Sequence, residues 1–518
     1  MQIFNVIKGG KYKGISKWKT LEHNGPLFPA MYQKHNIPII YNNKNIILSE
    51  RAEEYATLYA RYISTDYINN KIFNKNFWDC FKPVLDENLK KSKLEDFDFR
   101  LIHEYLLNLK KEKKNNDDDE KYKFCIIDGI KQKVGNYKIE PPSIFIGRGS
   151  HPKLGKIKKR IYPHDVIINI DKKSKIPDIP IEYKKVSNKW QDVIHDNKVE
   201  WLASWKEEIT DKRKYIFTSL ESTFKSNSDK EKFNLANNLG KYISKIRKQY
   251  YNDFTSNDIK YRQLSTALYL IDTLALRVGN NKDKDNQADT VGVSTLRREH
   301  IKFIDDNNYV IRLKFLGKDY IEFKKDITVD KIIYNNFKDF TNSNDNDLLF
   351  DQINSIQLNN YLNDFMKGLT SKVWRTYNAT HYFMKEMEKV KNNDIDNLTE
   401  SEKSNYILYK FKQANAGVAI LCNHKKSTNN KKNTKLIKIN DQLVKLKKDK
   451  NKNKSKIKIL EEKKKLESKS SDISLSTSKN NYIDPRVIFH FIEKFNVSAE
   501  KVLGKSLLKR FEWCIKDV

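Results

Sequence analysis

Cysteine is scarce in this chain. Its 518 residues hold four, Cys80, Cys125, Cys422 and Cys514, far apart and without a CxxC pair. That spacing excludes a cysteine zinc site and a disulfide framework, and it fits a reducing compartment. No apolar run approaches the roughly 18 residues of a membrane span. The opening MQIFNVIKGGKYKG has neither a long apolar run nor a small-residue cleavage site, so no secretory signal is expected. The expectation is a soluble, intracellular protein without membrane contact. Several catalytic motifs are missing too: there is no Walker phosphate loop, no HExxH and no GxSxG. The closest nucleotide-like string, Ile146 to Pro152 (IGRGSHP), has two glycines, and Pro152 argues against a helix-starting dinucleotide loop. It reads instead as an exposed turn presenting Arg148 and His151 to a phosphate backbone. Acidic residues do not cluster in the order of a two-magnesium site. Neither ATP-driven chemistry nor a metal or other cofactor is expected.

What is abundant is positive charge. Lys and Arg number 99 against 67 Asp and Glu, a formal net charge of +32. An enzyme of small metabolites has no need of such a field, whereas a protein displacing counterions from a polyphosphate does. A solubilising surface is the plainer reading, but acidic residues serve that purpose at least as well. Nucleic acid is the favoured partner. Apolar residues at 38% and aromatics at 12% are enough for substantial cores, and the length asks for two to four folding units.

Along the chain, the first two hundred residues mix short apolar runs with turn chemistry, as at Pro141-Pro142 and Pro177 to Pro180. Residues 44–49 (KNIILS) and 166–170 (VIINI) read as strands. Residues 52–63 place Tyr55, Leu58, Tyr59 and Tyr62 at helical spacing. Residues 110–119, basic then acidic, read as a solvated loop. From about 223 to 424 helical patterns dominate, with a buried helix over 261–276 and another over 370–386. A short hairpin is expected from 308 to 323, turning at Gly317. Residues 425–470 then carry 18 Lys against five acids, a net of +13. Leu436, Ile439, Leu443 and Leu446 keep 3-4-3 spacing there, resumed by Ile457 and Leu460. This predicts an antiparallel two-helix hairpin, a charged coiled coil projecting into solvent, with a disordered basic spacer as the alternative.

A phosphodiester can be cut by a nucleophile, cations around the non-bridging oxygens and an acid for the leaving oxygen. Candidates are plentiful, and composition cannot select one tyrosine among 27. Read singly, Arg277 suits a helix C-terminus, Lys318 a hairpin, His424 a structural helix end, Arg375 an ion pair and Tyr482 a core aromatic.

Longer strings narrow the choice. In order, the chain carries LALRVGN (274–280), ADTVGVSTLRREHI (288–301), FLGKD (315–319), LTSKVWRTYNA (369–379), AILCNH (419–424) and TSKNNYIDPR (477–486). Earlier stand KWKTLEHNGP (17–26), IEPP (139–142), GRGSHP (147–152) and HDNKVEWLAS (195–204). Over nearly its whole length the chain resembles the eukaryotic type IB DNA topoisomerases. Several non-repetitive strings in a fixed order make that resemblance specific.

The resemblance implies an active site of two arginines, Arg277 and Arg375, with Lys318, His424 and the nucleophile Tyr482; none of the five is substituted. It implies arginines and His424 on the non-bridging oxygens, Lys318 as proton donor to the 5′-oxygen, and a transient 3′-phosphotyrosine. Phe145, Gly147, Arg148, Asp319 and Asn481 match family positions near the cleaved phosphate, where camptothecin-type inhibitors stack, and Asn280 matches a DNA-contacting position. Asn480 replaces an apolar residue common two places before the tyrosine, which bears on drug response. About 16 residues precede KWKTLEHNGP where relatives carry a long charged region, and the linker is shorter than in animal members.

The expected fold class is α+β, a multidomain DNA clamp. Residues 1–222 would form a mixed α/β cap, and 223–424 a mainly helical catalytic domain of tyrosine-recombinase-like fold. Residues 425–472 would be the basic coiled-coil linker and 473–518 a small C-terminal domain delivering Tyr482. The expected activity is ATP-independent relaxation of positive and negative supercoils in double-stranded DNA by a monomer. Phosphate contacts would dominate, with affinity falling steeply in salt. A tyrosine recombinase and a non-catalytic DNA-clamping chromatin protein are the rivals. The nucleus is the expected compartment and the mitochondrion its alternative.

Overall fold

The computed structural model describes residues 16–109, 119–147, 149, 151–280, 289–342, 347–391, 395–396, 398–425, 432–449, 453–470 and 473–516. The chain divides into two compact units, Met1–Lys225 with Lys282–Ala288, and Ser226–Asn281 with Asp289–Val518. Helices and several small sheets occur together, an α+β composition. Among the described residues no helix is long and apolar enough to cross a membrane.

The first unit has two cores. One is built by strands β1 (Leu21–His23), β2 (Phe124–Ile127) and β3 (Ile130–Lys133), an antiparallel sheet in that order, with a four-stranded sheet. The latter comprises β4 (Val166–Asn169), β5 (Asp192–Ile194), β6 (Trp201–Glu207) and β7 (Lys212–Phe217) in the order β5-β4-β6-β7. The β5–β4 pair is parallel and the other two are antiparallel. The second core is aromatic and lies among α1 (Glu50–Ala60), α2 (Lys71–Phe81) and α3 (Arg100–Leu109). Phe73, Phe77 and Phe81 recur every four residues on α2 and line its buried face, beside a buried Asn76 that donates to the Pro152 and Leu154 carbonyls. The Asn70 side chain caps that helix by accepting from the Ile72 and Phe73 amides.

The expected strand over 44–49 is shorter, Lys44–Ile46, and the helix over 52–63 starts at Glu50 and ends at Ala60. Residues 110–118, in the expected loop, lie outside the described residues, as does Arg148. The turn at 146–152 departs from its reading. His151 is buried at 6% exposure, its ring edge-on to Phe145 with centroids 4.8 Å apart, and its Nδ1 accepts from the Lys153 amide. Gly147 makes this burial possible, because a Cβ there would stand 2.3 Å from the His151 Cβ. His151 is therefore a packing residue of its turn, where an exposed one was expected.

The second unit opens with most of α4 (Thr223–Asp253), whose Phe233, Ala236, Leu239, Ile243, Ile246 and Tyr250 form one buried stripe. Helix α5 (Ile259–Leu274) is capped by Asp258 and is buried on a wide face. An antiparallel sheet β8 (Ile301–Asp305), β9 (Val310–Gly317) and β10 (Ile321–Thr328) follows in that order. With α6 (Lys331–Asn342), α7 (Ser355–Phe365) and the start of α8 (Ser371–Glu388) it closes one core. A second core joins the rest of α8 to α9 (Glu400–Leu421), to Tyr482 and Ile483, and to α13 (Pro485–Lys494) and the short helices after it.

Helices α10 (Lys432–Lys447) and α11 (Lys454–Ser470) occupy the expected two-helix segment, and Ile439, Leu443 and Ile457 pack together with Leu446 and Leu460 beside them. The hairpin does not stand free on both sides. Helix α11 lies along α9, where Glu462 pairs with Lys410 and accepts from Gln413, and Ser455 donates to Glu402. Ile459 adds apolar contact with the second core. A lysine-rich helix is held here by a buried acid, which the 3-4-3 pattern cannot reveal.

Candidate active site

Each of the five residues implied by the resemblance sits at the end of an element or on one wall of a common cavity. Arg277 lies just past α5, which ends through Ala275 in the left-handed region at φ 49°. The extended stretch after it is held by backbone bonds, the Val293 amide to the Arg277 carbonyl and the Ser294 amide to the Val278 carbonyl. Gly279 and Gly292 pack so closely that a Cβ on Gly292 would meet the Gly279 nitrogen at 2.4 Å. The glycines of LALRVGN and ADTVGV are thus required by close backbone approach.

Lys318 opens the three-residue loop between β9 and β10, where Asp319 and Tyr320 both adopt positive φ, 69° and 61°. Arg375 is buried on the second turn of α8, a helix whose N-terminus Thr370 caps. His424 follows α9 by way of Asn423 at φ 51°, and Tyr482 directly follows α12 (Leu475–Asn481).

These segments converge. Arg277 Nη1 donates to the Tyr482 hydroxyl at 3.1 Å. The Arg375 Cζ stands 5.1 Å from the Tyr482 ring centroid, and the His424 ring 5.3 Å from it. Arg375 is braced by its own fork, Nη1 donating to the Ala275 carbonyl at 2.7 Å and Nη2 to the Cys422 carbonyl at 2.5 Å. Its Nε is buried without a partner among the described residues. Nη2 also lies 3.4 Å from His424 Nε2, and His424 Nδ1 is 2.9 Å from the Ser478 hydroxyl. Tyr482 is buried at 7% exposure; its carbonyl accepts from Thr380, and the Lys232 ammonium donates to the carbonyl of Asn481 just before it.

A cavity of about 390 Å³ opens onto this cluster, lined by Arg277, Lys318, Asp319, Arg375, His424 and Lys425 among others. Its electrostatics favour an anion. Burial lowers the His424 pKa from 6.5 to about 3, and the charges of Arg375, Arg277 and Lys318 push it the same way. The imidazole is therefore neutral near neutral pH. Burial raises the Cys422 thiol pKa, with Arg375 and Arg277 opposing.

Of the further positions expected to touch DNA, Asp319 lines the cavity, and Asn280 is exposed near Arg277 and is not among its lining residues. Asn481 is half-buried and donates to the Thr477 carbonyl. Sequence reasoning missed Ser478, Thr380 and the carbonyls that brace Arg375. Ser478 was findable, since it lies one helical turn before Tyr482 in the same string. Thr380 was not, being 102 residues from the carbonyl it holds.

A buried tyrosine hydroxyl bonded to one guanidinium, with a second guanidinium and a neutral histidine at its ring, is an arrangement chemically suited to phosphoryl transfer through tyrosine. Family comparison agrees. Residues 16–218 match the DNA binding fragment of eukaryotic DNA topoisomerase I, 221–457 its catalytic core, and 454–518 the C-terminal topoisomerase domain. The chain is 36% identical to human DNA topoisomerase 1, covering 98% of this chain and 72% of that protein. It is 36% identical to the rat mitochondrial DNA topoisomerase I, covering 98% and 93%. It is likewise 36% identical to DNA topoisomerase 1 alpha of Arabidopsis thaliana, of whose length it spans 59%. The chain belongs to the eukaryotic DNA topoisomerase I family, the type IB topoisomerases.

Proposed function

We propose that this chain relaxes positively and negatively supercoiled DNA by cutting and resealing one strand without ATP. The observation that carries the reading is the hydrogen bond from Arg277 to the Tyr482 hydroxyl, Arg277 itself lining one cavity with Arg375, His424 and Lys318. In the proposed reaction the Tyr482 oxygen attacks a DNA phosphorus, its proton passing to solvent water, as the P–O bond to the 5′-carbon's oxygen breaks. A 3′-phosphotyrosine forms, and the departing 5′-oxygen takes a proton from Lys318. Arg277 favours the developing phenolate, while the unpartnered Nε of Arg375 and the His424 ring offer donors to the non-bridging oxygens. Resealing is the reverse attack by the free 5′-hydroxyl, which releases Tyr482. The ester linkage is exchanged and not hydrolysed, so no external energy source enters the balance.

Residues 1–222 are proposed as a DNA-binding cap, 223–424 as the catalytic domain of tyrosine-recombinase-like fold, 425–472 as the linker and 473–518 as the nucleophile-bearing domain. The enzyme is proposed to act as a monomer clamped on duplex DNA in the nucleus, with the mitochondrion as the alternative, and camptothecin-type compounds as ligands of the cleaved complex. The decisive test is relaxation of both kinds of supercoiled plasmid in EDTA without ATP. The wild type is expected to relax both, and Tyr482→Phe to bind DNA and relax neither. Relaxation by the phenylalanine variant would show that another residue is the nucleophile.

A further inference from the structure

Ser478 is fully buried, and among the described residues its hydroxyl has one hydrogen-bond partner, His424 Nδ1 at 2.9 Å. The direction of that bond decides what the histidine can do. If Nδ1 carries the ring proton, the serine oxygen accepts it, and the serine's own proton is left without an acceptor in a buried place. If the serine donates, Nδ1 accepts, the hydroxyl is satisfied, and the ring proton sits on Nε2. Buried hydroxyl donors are rarely left unpaired, which favours the second arrangement.

At the other end of the ring, Nε2 lies 3.4 Å from Arg375 Nη2, which can only donate. With the proton on Nε2, two N–H groups face each other at the wall of the cavity. Two donors so placed are satisfied together by one shared anionic acceptor. In the opposite tautomer Nε2 accepts from Arg375 and presents no histidine donor to the cavity. Because the ring is held neutral by burial and by its cationic neighbours, it has a single proton to place.

Resting on the proposed role of His424 at the scissile phosphate, we propose that Ser478 is a positioning residue that holds His424 as its Nε2–H tautomer, so that His424 and Arg375 converge on the same non-bridging oxygen.

Single-turnover cleavage of a duplex oligonucleotide, read as covalent protein–DNA complex, tests this with a double-mutant cycle. Ser478→Ala should slow cleavage about tenfold or more in the otherwise unaltered chain, the loss of one buried hydrogen bond felt in the transition state. It should change the rate less than about twofold in a His424→Ala background. Ser478→Thr, which keeps the hydroxyl, should restore most of the rate, with DNA affinity unmoved. An equal slowing in both backgrounds, or none in either, overturns the proposal. Should Ser478→Ala fail to fold, nitrogen-15 histidine spectra of the Tyr482→Phe chain on duplex DNA give the answer directly, with His424 assigned through His424→Gln. A protonated Nε2 is expected, and a protonated Nδ1 overturns the proposal. A wild-type chain that binds the duplex and never cleaves it would instead sink the proposed function, leaving the tautomer to be read from the spectra.

Discussion

His424 carries the clearest electrostatic signature of any single residue in the site. Its folded-state pKa, about 3, lies below the ordinary 6.5, so the folded chain resists a proton that the unfolded chain accepts. Stability is therefore fully present above pH 6.5 and falls as the pH drops from there toward 3. His23 in the first unit acts in the same sense, with burial taking its pKa to about 4 while its ring bonds the Asn169 carbonyl. For the reaction, the consequence is that His424 does not titrate from about pH 6 to about pH 8. Single-turnover cleavage measured across that range should have the same pH dependence in wild type and in His424→Gln, which keeps a neutral donor. An inflection near 6.5 present in the wild type and missing in the glutamine variant would show that the ring takes up a proton. The histidine was identified by its string, AILCNH; its neutrality follows from burial among cations far away in sequence.

At the scale of elements, three of the five residues are delivered by turns that use left-handed backbone at non-glycine positions. Ala275 precedes Arg277, Asp319 and Tyr320 follow Lys318, and Asn423 precedes His424. Asparagine and aspartate tolerate that conformation and β-branched residues do not. Asp319→Val should therefore cost about 1–2 kcal/mol of stability and slow cleavage by shifting Lys318. Asp319→Asn, which keeps the turn, should stay close to wild type in both thermal unfolding and cleavage rate. An equal loss in the two variants would mean that the carboxylate matters and the turn does not. The helices themselves were legible: apolar periodicity located α5, α8 and the paired α10 and α11 to within a few residues. Positive φ leaves little trace in periodicity, so the turns that aim the side chains were not legible.

For the molecule as a whole, the second unit is closed by contacts between its first and last segments. Arg510 Nε donates to the Asp229 carboxylate at 2.6 Å across 281 positions, both side chains being 1% exposed. The Ser226 hydroxyl donates to the Arg510 carbonyl, and Lys232 joins Asp229 to the Asn481 carbonyl beside the nucleophile. Arg510→Ala removes the closer of the two cations on the buried Asp229 carboxylate and leaves Lys232, so it should lower stability by about 1.5–3 kcal/mol in denaturant titration. Replacing both Asp229 and Arg510 with apolar residues of similar size should recover much of that loss. A loss below about 1 kcal/mol in the single variant would show that water reaches the pair. The same molecule carries its +32 charge as a field that any polyanion meets.

The sequence alone determined the charge, the helical and strand periods, the basic two-helix segment and, through strings in a fixed order, the resemblance and its five residues. These are properties of composition and of neighbours along the chain, where spacing reports which face an element buries. What the tertiary structure decided is how remote segments meet. Tyr482 lies 205 residues from the arginine that bonds its hydroxyl and 107 from the one above its ring. The burial that keeps His424 neutral, the hydroxyl that orients it, the burial of His151 and the docking of α11 on α9 are likewise decided by packing. Periodicity selects a buried face but not the partner that covers it, because that choice rests on the shape and polarity of two surfaces brought together only when the cores close.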